Sequence, residues 1–475
     1  METQVAEVVE GRPVTKENNM EPNTPPTQSG KRMSQGLEGV RERARKNKQE
    51  RFTALLHHVK VDLLRDSYYG LQRKAAPGVD GMTWKEYETG LEDRLQDLHG
   101  RVHRGAYRAL PSKRSYIPKA NGKQRPLGMA ALEDKIVQSA VVRVLHPIEE
   151  EDFRGFSCGF RPGRSQHGAL DALYVGIRGK KVNWILDMDL KGFFDNIDKE
   201  HLMEMVGRRI ADTRVLRWIR KGLKAGVIED GEWSEAEKGT PQGAVISPLL
   251  ANSYLHYVLD QWTDQWRQSA QGDVIIVRYA DDAVIGYQHP YEAERFLKDV
   301  REQLGKYGLE WNEEKTRLIR FGRFARQNRD ERGEGKPEWF TFLGFQPICG
   351  ENSVGRFEVR RITDGDRRRK KRQDIKQQIR RKMHEPVARV GGWLRSVLNG
   401  YYQYHAVPGN LTALKRFRRQ VARYWFQALG QRSQRRPTWA KLGKLFDHWL
   451  PAPHIVHAYP DARFRASRLR VANPK

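Results

Sequence analysis

Two adjacent aspartates, Asp281 and Asp282, stand between two short apolar runs and raise the first chemical question. The residues at 274–277 and 283–285 are mostly Val and Ile, which predicts two β-strands joined by a tight turn. Adjacent carboxylates repel each other, and burying them is unfavourable unless a cation or hydrogen-bond donors compensate. A divalent cation such as Mg²⁺ prefers such oxygen ligands, so the pair predicts a metal site.

A third carboxylate is expected on a neighbouring strand, in the segment "ILDMDLKGFFD" at 185–195. Three carboxylates can hold two cations, which clamp the attacking and leaving oxygens of a phosphoryl transfer. Asp187 and Asp189 fall on the same face of the predicted strand, so spacing alone leaves both as candidates. The competing interpretation is structural, because aspartate favours turns through local hydrogen bonds.

Positive charge is concentrated in the last quarter of the chain. Residues 361–475 contain 28 Lys or Arg against 6 Asp or Glu, which gives +22 of the total net charge of +27. Aromatic residues are interleaved there, from Trp393 to Phe464. Phosphate attraction and base stacking together are typical of nucleic-acid binding, so this segment predicts a polyanionic partner.

Composition also excludes several classes of protein. Charged residues make up 31% of the chain, and no stretch approaches the ~18 consecutive apolar residues of a membrane span, so no membrane partner is expected. The N-terminus lacks the basic start and apolar core of a signal peptide. Two cysteines, Cys158 and Cys349, exclude a disulfide framework and a Cys-rich zinc site, and they fit a reducing cytosol.

Pattern along the chain predicts a mixed α/β body followed by helices. Residues 1–50 are predicted to be a disordered tail, since the first 35 are polar and rich in Pro and Asn. Strands are expected near 315–321 and 339–347, and everything after about 365 is expected to be helical. Asn410 is predicted to be the N-cap of a helix that ends at Gly430.

Seven blocks of this sequence resemble the successive motifs of reverse transcriptases, in the order of that family. They are "IPKANGKQRPLGM" (117–129), "FSCGFRPGRSQHGAL" (156–170), "LDMDLKGFFDNID" (186–198), "GTPQGAVISPLLAN" (239–252), "YADD" (279–282), "LEWNEEKTRLIRF" (309–321) and "FTFLGF" (340–345). "KAAPGVDGMTW" (74–84) is similar to the extra N-terminal block of bacterial, non-LTR members, and "WLRSVLNGYYQYHAVPGN" (393–410) resembles the thumb and maturase region of group II intron-encoded proteins.

The resemblance implies an α+β right-hand polymerase fold with fingers, a palm built on an antiparallel sheet, and an all-α thumb/maturase module. The implied divisions are the tail at 1–50, an N-terminal extension with fingers at 51–185, the palm at 186–362 and the basic helical domain at 363–475.

It also implies the roles of particular residues. Asp189, rather than Asp187, joins Asp281 and Asp282 as the catalytic and metal-binding acids, with two Mg²⁺ ions for which Mn²⁺ can substitute. Asp189 and Asp281 would bind both ions, and Asp282 would lie nearer the primer 3′ end. The residues expected to bind the nucleotide are Lys119 and Arg125 (triphosphate), Phe194 (sugar), Gln242 (pocket lining) and Lys315 (leaving pyrophosphate).

The implied function is RNA-directed DNA polymerisation combined with binding of the parent group II intron RNA as a maturase, which promotes splicing and mobility. The expected partners are that intron RNA, an RNA template with a DNA primer, dNTPs and target DNA, in the bacterial cytoplasm and at the nucleoid during mobility. A splicing-only maturase and a domesticated reverse transcriptase for defence or repair are the alternatives. Fuller members carry a Cys-containing HNH endonuclease; no CxxC occurs here, so no DNA-cleaving domain is expected.

Overall fold

The computed structural model describes residues 28–118, 124–235, 238–352, 354–432 and 438–465. Within these ranges the helices are α1 (Gln28–Lys46), α2 (Val61–Gly70), α3 (Trp84–Glu88), α4 (Leu91–Arg104), α5 (Leu132–Asp152), α6 (Gln166–Gly179), α7 (Phe193–Asn196), α8 (Lys199–Gly207), α9 (Thr213–Lys224), α10 (Ser247–Leu255), α11 (Gln261–Gln268), α12 (Pro290–Gly305), α13 (Ala325–Asp330), α14 (Gly365–Arg381), α15 (Val387–His405), α16 (Leu411–Gly430) and α17 (Trp439–Trp449). The strands are β1 (Ser112–Pro118), β2 (Gln124–Met129), β3 (Trp184–Asp189), β4 (Val227–Glu229), β5 (Glu232–Ser234), β6 (Val274–Tyr279), β7 (Asp282–Tyr287), β8 (Arg317–Arg320), β9 (Phe345–Glu351) and β10 (Phe357–Thr363).

Helix α1 corrects the prediction that residues 1–50 form a disordered tail. Its Val40 and Ala44 are buried against the body of the protein. Arg209, which is also buried, donates hydrogen bonds to the carbonyl oxygens of Ala44 (3.2 Å) and Asn47 (3.0 Å). The prediction was wrong for residues 28–50, because these tertiary contacts stabilise a helix that the polar local sequence does not indicate. Residues 1–27 lie outside the described ranges.

The central sheet has the strand order β6-β7-β3-β8, and every neighbouring pair is antiparallel. Alternation sends Leu186 and Ile285 into a large core beneath the sheet, which also contains residues of α5, α10 and α12. On the opposite face, Val284 and Ile319 pack against α6 and the aromatic residues of the 340–345 segment. Apolar layers therefore hold the strands on both faces and fix the register of their carboxyl-bearing ends.

A second sheet, with the order β2-β1-β4-β5, combines two strands that precede β3 in the sequence with two that follow it. The pattern of "SYIPKANGKQRPLGM" (115–129) predicts a strand, a turn and a second strand, and both strands are confirmed: β1 and β2 pair antiparallel, with Pro118 opposite Gln124. Its turn, which includes Lys119, falls outside the described residues. The boundary predicted between residues 185 and 186 falls inside β3, so the central sheet already begins at Trp184.

Strands β9 and β10 form a separate antiparallel hairpin. The strand predicted at 339–347 begins later than expected. The chain first makes a tight turn at Leu343 and Gly344, both with positive φ, and then extends from Phe345 to Glu351. Beyond this hairpin, the described residues form the helical module that was predicted.

Helices α14 to α17 enclose their own core, which includes Ile379, Leu394, Phe417 and Trp425. The helix predicted after Asn410 runs from Leu411 to Gly430, as expected. Its cap differs: the Asn410 side chain makes no cap bond and instead donates to the Thr363 hydroxyl at 2.6 Å. This buried amide ties the helical module to β10, a long-range contact that the local sequence does not signal.

Candidate active site

The β6–β7 hairpin presents the two adjacent aspartates at the end of the central sheet. Tyr279 pairs with Asp282, which leaves Ala280 and Asp281 as a two-residue turn. Ala280 has a φ of 55°, a left-handed conformation that is uncommon for a residue other than glycine. The apolar strands on either side are buried, so the hairpin holds both carboxylates at a fixed position.

Strand β3 brings a third carboxylate to the same place. Asp189 is the Cα partner of Asp282, whereas Asp187 is opposite Val284 and faces Arg317 on β8, whose guanidinium lies 3.9 Å from its carboxylate. Residues directly opposite in an antiparallel pair share one face of the sheet. The carboxylates of Asp189 and Asp282 therefore extend from the same face of neighbouring strands.

Crowding of negative charge perturbs these acids. Loss of hydration raises the pKa of Asp282 to about 7, and repulsion from Asp281, Asp189 and Asp187 adds to the rise. The Asp282 side chain is exposed to solvent. Protein atoms nevertheless surround it densely enough to exclude much of the bulk water that would hydrate its charge. The pKa of Asp281 is also raised, by loss of hydration and by Asp189. Both shifts arise because the acids are crowded together with little water around them, an arrangement that nearby positive charge would stabilise.

Lys315 supplies part of that charge. Its ammonium group lies 2.8 Å from Asp189 Oδ2, and the Asn312 side-chain amide donates to the same oxygen at 3.2 Å. The backbone N–H of Asn312 also donates to the Asp189 carbonyl at 2.7 Å. The segment 312–315 therefore packs directly on the end of β3 and places Lys315 against an acid. Its expected contact with the leaving pyrophosphate stays a prediction.

The "TPQG" loop (240–243) is hydrogen-bonded to α7 at the end of the palm strands. The Gln242 amide donates to Asp195 Oδ1 at 3.0 Å, and the Thr240 N–H donates to the Phe194 carbonyl at 2.9 Å. Gly239 has a positive φ, and a Cβ there would lie 2.8 Å from the Phe194 carbonyl oxygen. The structure thus brings Gln242 and Phe194 together, through a close backbone approach that only glycine permits.

The same loop contacts the strand that carries Arg125. The Gly128 N–H of β2 donates to the Gln242 carbonyl at 2.7 Å. Arg125 is half-buried on β2, and its positive charge lowers the pKa of Asp281 against the larger effect of lost hydration. Arg125 is therefore near enough to Asp281 for its charge to act on that acid, whereas Lys119 lies outside the described residues.

Comparison with known proteins shows where this architecture recurs. The family model for reverse transcriptase (RNA-dependent DNA polymerase) matches residues 117–347. Group II intron-encoded protein LtrA of Lactococcus lactis subsp. cremoris is 32% identical over 288 residues, 59% of this chain and 47% of LtrA. Protein YkfC of Escherichia coli (strain K12) is 38% identical over 318 residues, which cover 60% of this chain and 78% of that protein. This chain belongs to the reverse transcriptase family.

More distant similarities fit that assignment. Nuclear intron maturase 2, mitochondrial, of Arabidopsis thaliana is 30% identical over 110 residues, 22% of this chain and 15% of that protein. The palm of this reverse transcriptase is the four-stranded antiparallel sheet, and its fingers and helical C-terminal region complete the predicted α+β right-hand fold.

Reverse transcriptases depend on divalent cations, and the donor set of this one fits such an ion. Asp189, Asp281 and Asp282 offer only hard carboxylate oxygens, which Mg²⁺ and Mn²⁺ prefer. Among the residues that the structure describes, no group of three or more His, Cys, Asp or Glu side chains is close enough to form a preassembled metal site.

Three polar residues that bond the candidate site residues, or the turn that carries them, were not predicted from the sequence. Asn312 bonds Asp189, Asp195 bonds Gln242, and the buried Arg278 bonds the turn before Asp281. Arg278 did carry a signal, because a charged residue inside the apolar run "IIVRY" must be paired to be buried. Asp195 and Gln242 are 47 positions apart, so the local sequence of Asp195 does not indicate their contact.

None of the helices in the described ranges is long and apolar enough to cross a membrane.

Proposed function

We propose that this reverse transcriptase extends a DNA primer on an RNA template, using two Mg²⁺ ions held by Asp189, Asp281 and Asp282. The observation that carries the proposal is the register of the central sheet, in which Asp189 lies directly opposite Asp282 and next to the Asp281 turn. Bound there, the ions would activate the primer 3′-hydroxyl and neutralise charge on the phosphates.

The surrounding residues are arranged to orient an incoming dNTP. Arg125 would bind the triphosphate through two parallel hydrogen bonds, a role it is expected to share with Lys119. Phe194 would pack beneath the sugar, and Gln242, fixed by Asp195, would line the pocket. Lys315 would release Asp189 when the acids take up their ligands, and would then be free to protonate the leaving pyrophosphate.

We further propose that the chain binds its group II intron RNA as a maturase, promotes splicing and mobility, and reaches target DNA at the nucleoid of a bacterial cytoplasm. Support comes from the basic helical module and from similarity to the group II intron-encoded protein LtrA and to the Arabidopsis nuclear intron maturase. Phosphate contacts from that module would grip template–primer duplex and intron RNA alike.

Replacing Asp281 with a neutral amide should separate primer extension from intron RNA binding and splicing. Asp281→Asn should reduce primer extension on an RNA template by at least about 10³-fold, because the metal ligand is lost. The same variant should still bind intron RNA and support its splicing in vitro. Asp230→Asn is the matched control, since Asp230 is an exposed aspartate in the turn of the β4–β5 hairpin; it should extend primers as the wild type does.

The alternatives predict other results. A splicing-only maturase would promote splicing while the wild-type protein extends no primer. A domesticated reverse transcriptase would extend primers but show no preference for intron RNA over a random RNA of equal length. Full extension by Asp281→Asn would refute the assignment of the metal site.

A further inference from the structure

Arg278 lies in the middle of β6, and its side chain is 1% exposed. All five of its N–H donors have acceptors. Nε and Nη2 bind the Asp260 carboxylate at 2.6 and 2.5 Å, and Nη2 also donates to the Ser157 hydroxyl at 2.7 Å. Nη1 donates to the Asn252 side chain at 3.3 Å and to the Ala280 carbonyl at 2.7 Å.

Asp260 reaches this position through an irregular turn of helix. Residues His256–Asp260 form a π-helical turn between α10 and α11. Such turns change the direction in which the following side chains point and are frequent at functional sites. Asp260 is 1% exposed, and its two oxygens meet the guanidinium in a bidentate pair. The helix is therefore distorted at the place where it anchors Arg278.

The Ala280 carbonyl is the part of this network nearest the acids. Ala280 has a positive φ and Asp281 does not, which is the pattern of a type II′ turn, where glycine is usual at the first position. An alanine there is strained and needs support from its surroundings. Arg278 holds its carbonyl from one side, and on the other side Gly159 packs so closely that a Cβ would lie 2.3 Å from the Ala280 nitrogen.

Asn252 joins the two sides of this clamp. Its amide donates to the Gly159 carbonyl at 2.7 Å while its oxygen accepts from Arg278. The backbone of 156–158 also pairs with Arg278, because the Cys158 N–H donates to the Arg278 carbonyl at 2.8 Å. The turn before Asp281 is thus enclosed by one connected set of buried hydrogen bonds.

We propose that Arg278 is a positioning residue for the acids: its guanidinium, anchored by Asp260, clamps the Ala280 carbonyl and so fixes the turn that aims Asp281 and Asp282. This inference rests on the proposed metal site. Arg278 touches neither the acids' oxygens nor a substrate, so it acts through the turn. Its contribution should therefore show in metal affinity and in kcat, and not in KM for the nucleotide.

A second buried ion pair in this chain provides a control. Arg361 of β10 bonds Asp171 of α6 at 2.7 Å, and both side chains are 3% exposed. This pair is also a buried arginine–aspartate pair, with fewer hydrogen bonds than Arg278–Asp260. It lies between α6 and the β9–β10 hairpin, and none of the hydrogen bonds found for its guanidinium reaches the 279–282 motif. A merely structural role would make the two arginines equivalent.

Replacing each arginine with lysine tests the difference. Lysine keeps the positive charge but cannot bind Asp260 and the Ala280 carbonyl in the same planar geometry. Arg278→Lys should lower kcat for primer extension by about 10- to 100-fold and weaken Mn²⁺ binding by a similar factor, with KM for dNTP unchanged. Mn²⁺ alone is the probe, titrated by electron paramagnetic resonance, with Asp281→Ala as the baseline for binding elsewhere. Arg361→Lys should change neither quantity.

Two further substitutions address the turn itself. Adding Ala280→Gly to Arg278→Lys should restore about two- to fivefold of the lost affinity and rate, because glycine adopts the positive φ without strain. Gly159→Ala should displace the turn from the other side and weaken Mn²⁺ binding. Gly155→Ala is its control, since a Cβ there meets no atom within 4 Å.

The results separate this inference from the proposed function. If the wild type extends no primer, the polymerase proposal fails, and the Mn²⁺ titrations still decide the role of Arg278. Equal losses of Mn²⁺ affinity in Arg278→Lys and Arg361→Lys, at equal folded fraction, would overturn the positioning role. If Arg278→Lys does not fold, the glycine pair decides: Gly159→Ala that binds Mn²⁺ as tightly as Gly155→Ala would overturn it.

Discussion

The carboxylates of this site are held by strand register, and their electrostatics follow from it. Because Asp189 is opposite Asp282, a single antiparallel pairing sets two of the three acids next to each other. The third, Asp281, is set by the turn. Loss of hydration and mutual repulsion raise the pKa values of Asp281 and Asp282. A cation bound to all three carboxylates would relieve that repulsion.

Phe194 gives a prediction about sugar selection. Phe194→Val should increase incorporation of ribonucleotides relative to deoxyribonucleotides, on the order of tenfold, since a smaller side chain beneath the sugar leaves room for a 2′-hydroxyl. The ratio of kcat/KM for dNTP and rNTP is the measurement. Phe193→Leu is the control, because that neighbouring ring is buried in the core. Unchanged selectivity in Phe194→Val would refute the gate role.

Residue types and spacing predicted the acids but not their relationships. The alternation in "ILDMD" left Asp187 and Asp189 equivalent, and only the pairing with β7 and β8 places Asp187 opposite Val284 and Arg317. The Lys315–Asp189 and Gln242–Asp195 contacts join residues 126 and 47 positions apart. Such contacts depend on the fold as a whole, so no local pattern reveals them.

At the scale of elements, α5 carries a buried acid into the core beneath the palm sheet. Glu149 is 3% exposed and accepts a hydrogen bond from the Ser253 hydroxyl of α10 at 3.0 Å. Loss of hydration raises its pKa to about 7. Between its ordinary pKa and pH 7, the folded chain therefore retains a proton that the unfolded chain has released, so folding stability falls as pH rises through this window.

Glu149→Gln should remove that dependence. Glutamine can still accept from Ser253 but carries no charge, so the variant should gain stability over the wild type as pH increases from 5 to 8, reaching on the order of 3 kcal/mol. Urea unfolding at several pH values measures it. Glu88→Gln, at an exposed position, should track the wild type. A constant difference between Glu149→Gln and wild type across this range would show that Glu149 is ionised throughout.

Element type was predictable wherever local pattern and tertiary contact agree. The two strands around Asp281 and the helix at 411–430 lie where apolar periodicity placed them. Helix α1 was missed because its stability depends on Arg209 and on burial of Val40 and Ala44 against distant parts of the chain. The bond from Asn410 to Thr363 replaced the predicted cap for the same reason.

At the scale of the whole molecule, charge is separated along the chain. The C-terminal quarter carries +22 of the +27 net charge, and α14 alone exposes Arg367, Arg369, Lys370, Arg380 and Arg381. So large an excess of one sign favours association with a polyanion and disfavours the isolated state. We therefore expect the chemistry to take place in the palm and most of the nucleic-acid binding to come from the helical module.

Salt dependence tests this division. Lys370→Gln with Arg381→Gln should weaken RNA binding and lower the slope of log Kd against log salt by about one for each phosphate contact removed. Lys60→Gln with Lys85→Gln removes the same charge from exposed positions in the N-terminal region. If both double variants reduce the slope equally, binding follows net charge, and the helical module has no special role.

The most direct test of the central claim compares Asp187 and Asp189, the two aspartates that strand spacing alone leaves equivalent. Asp189→Asn and Asp187→Asn each remove one charge from the same face of β3. We predict that Asp189→Asn lowers Mg²⁺-dependent single-nucleotide incorporation on an RNA template by at least about 10³-fold, while Asp187→Asn stays within about threefold of the wild type. Retained incorporation by Asp189→Asn, or an equal loss in Asp187→Asn, would contradict the proposed metal site.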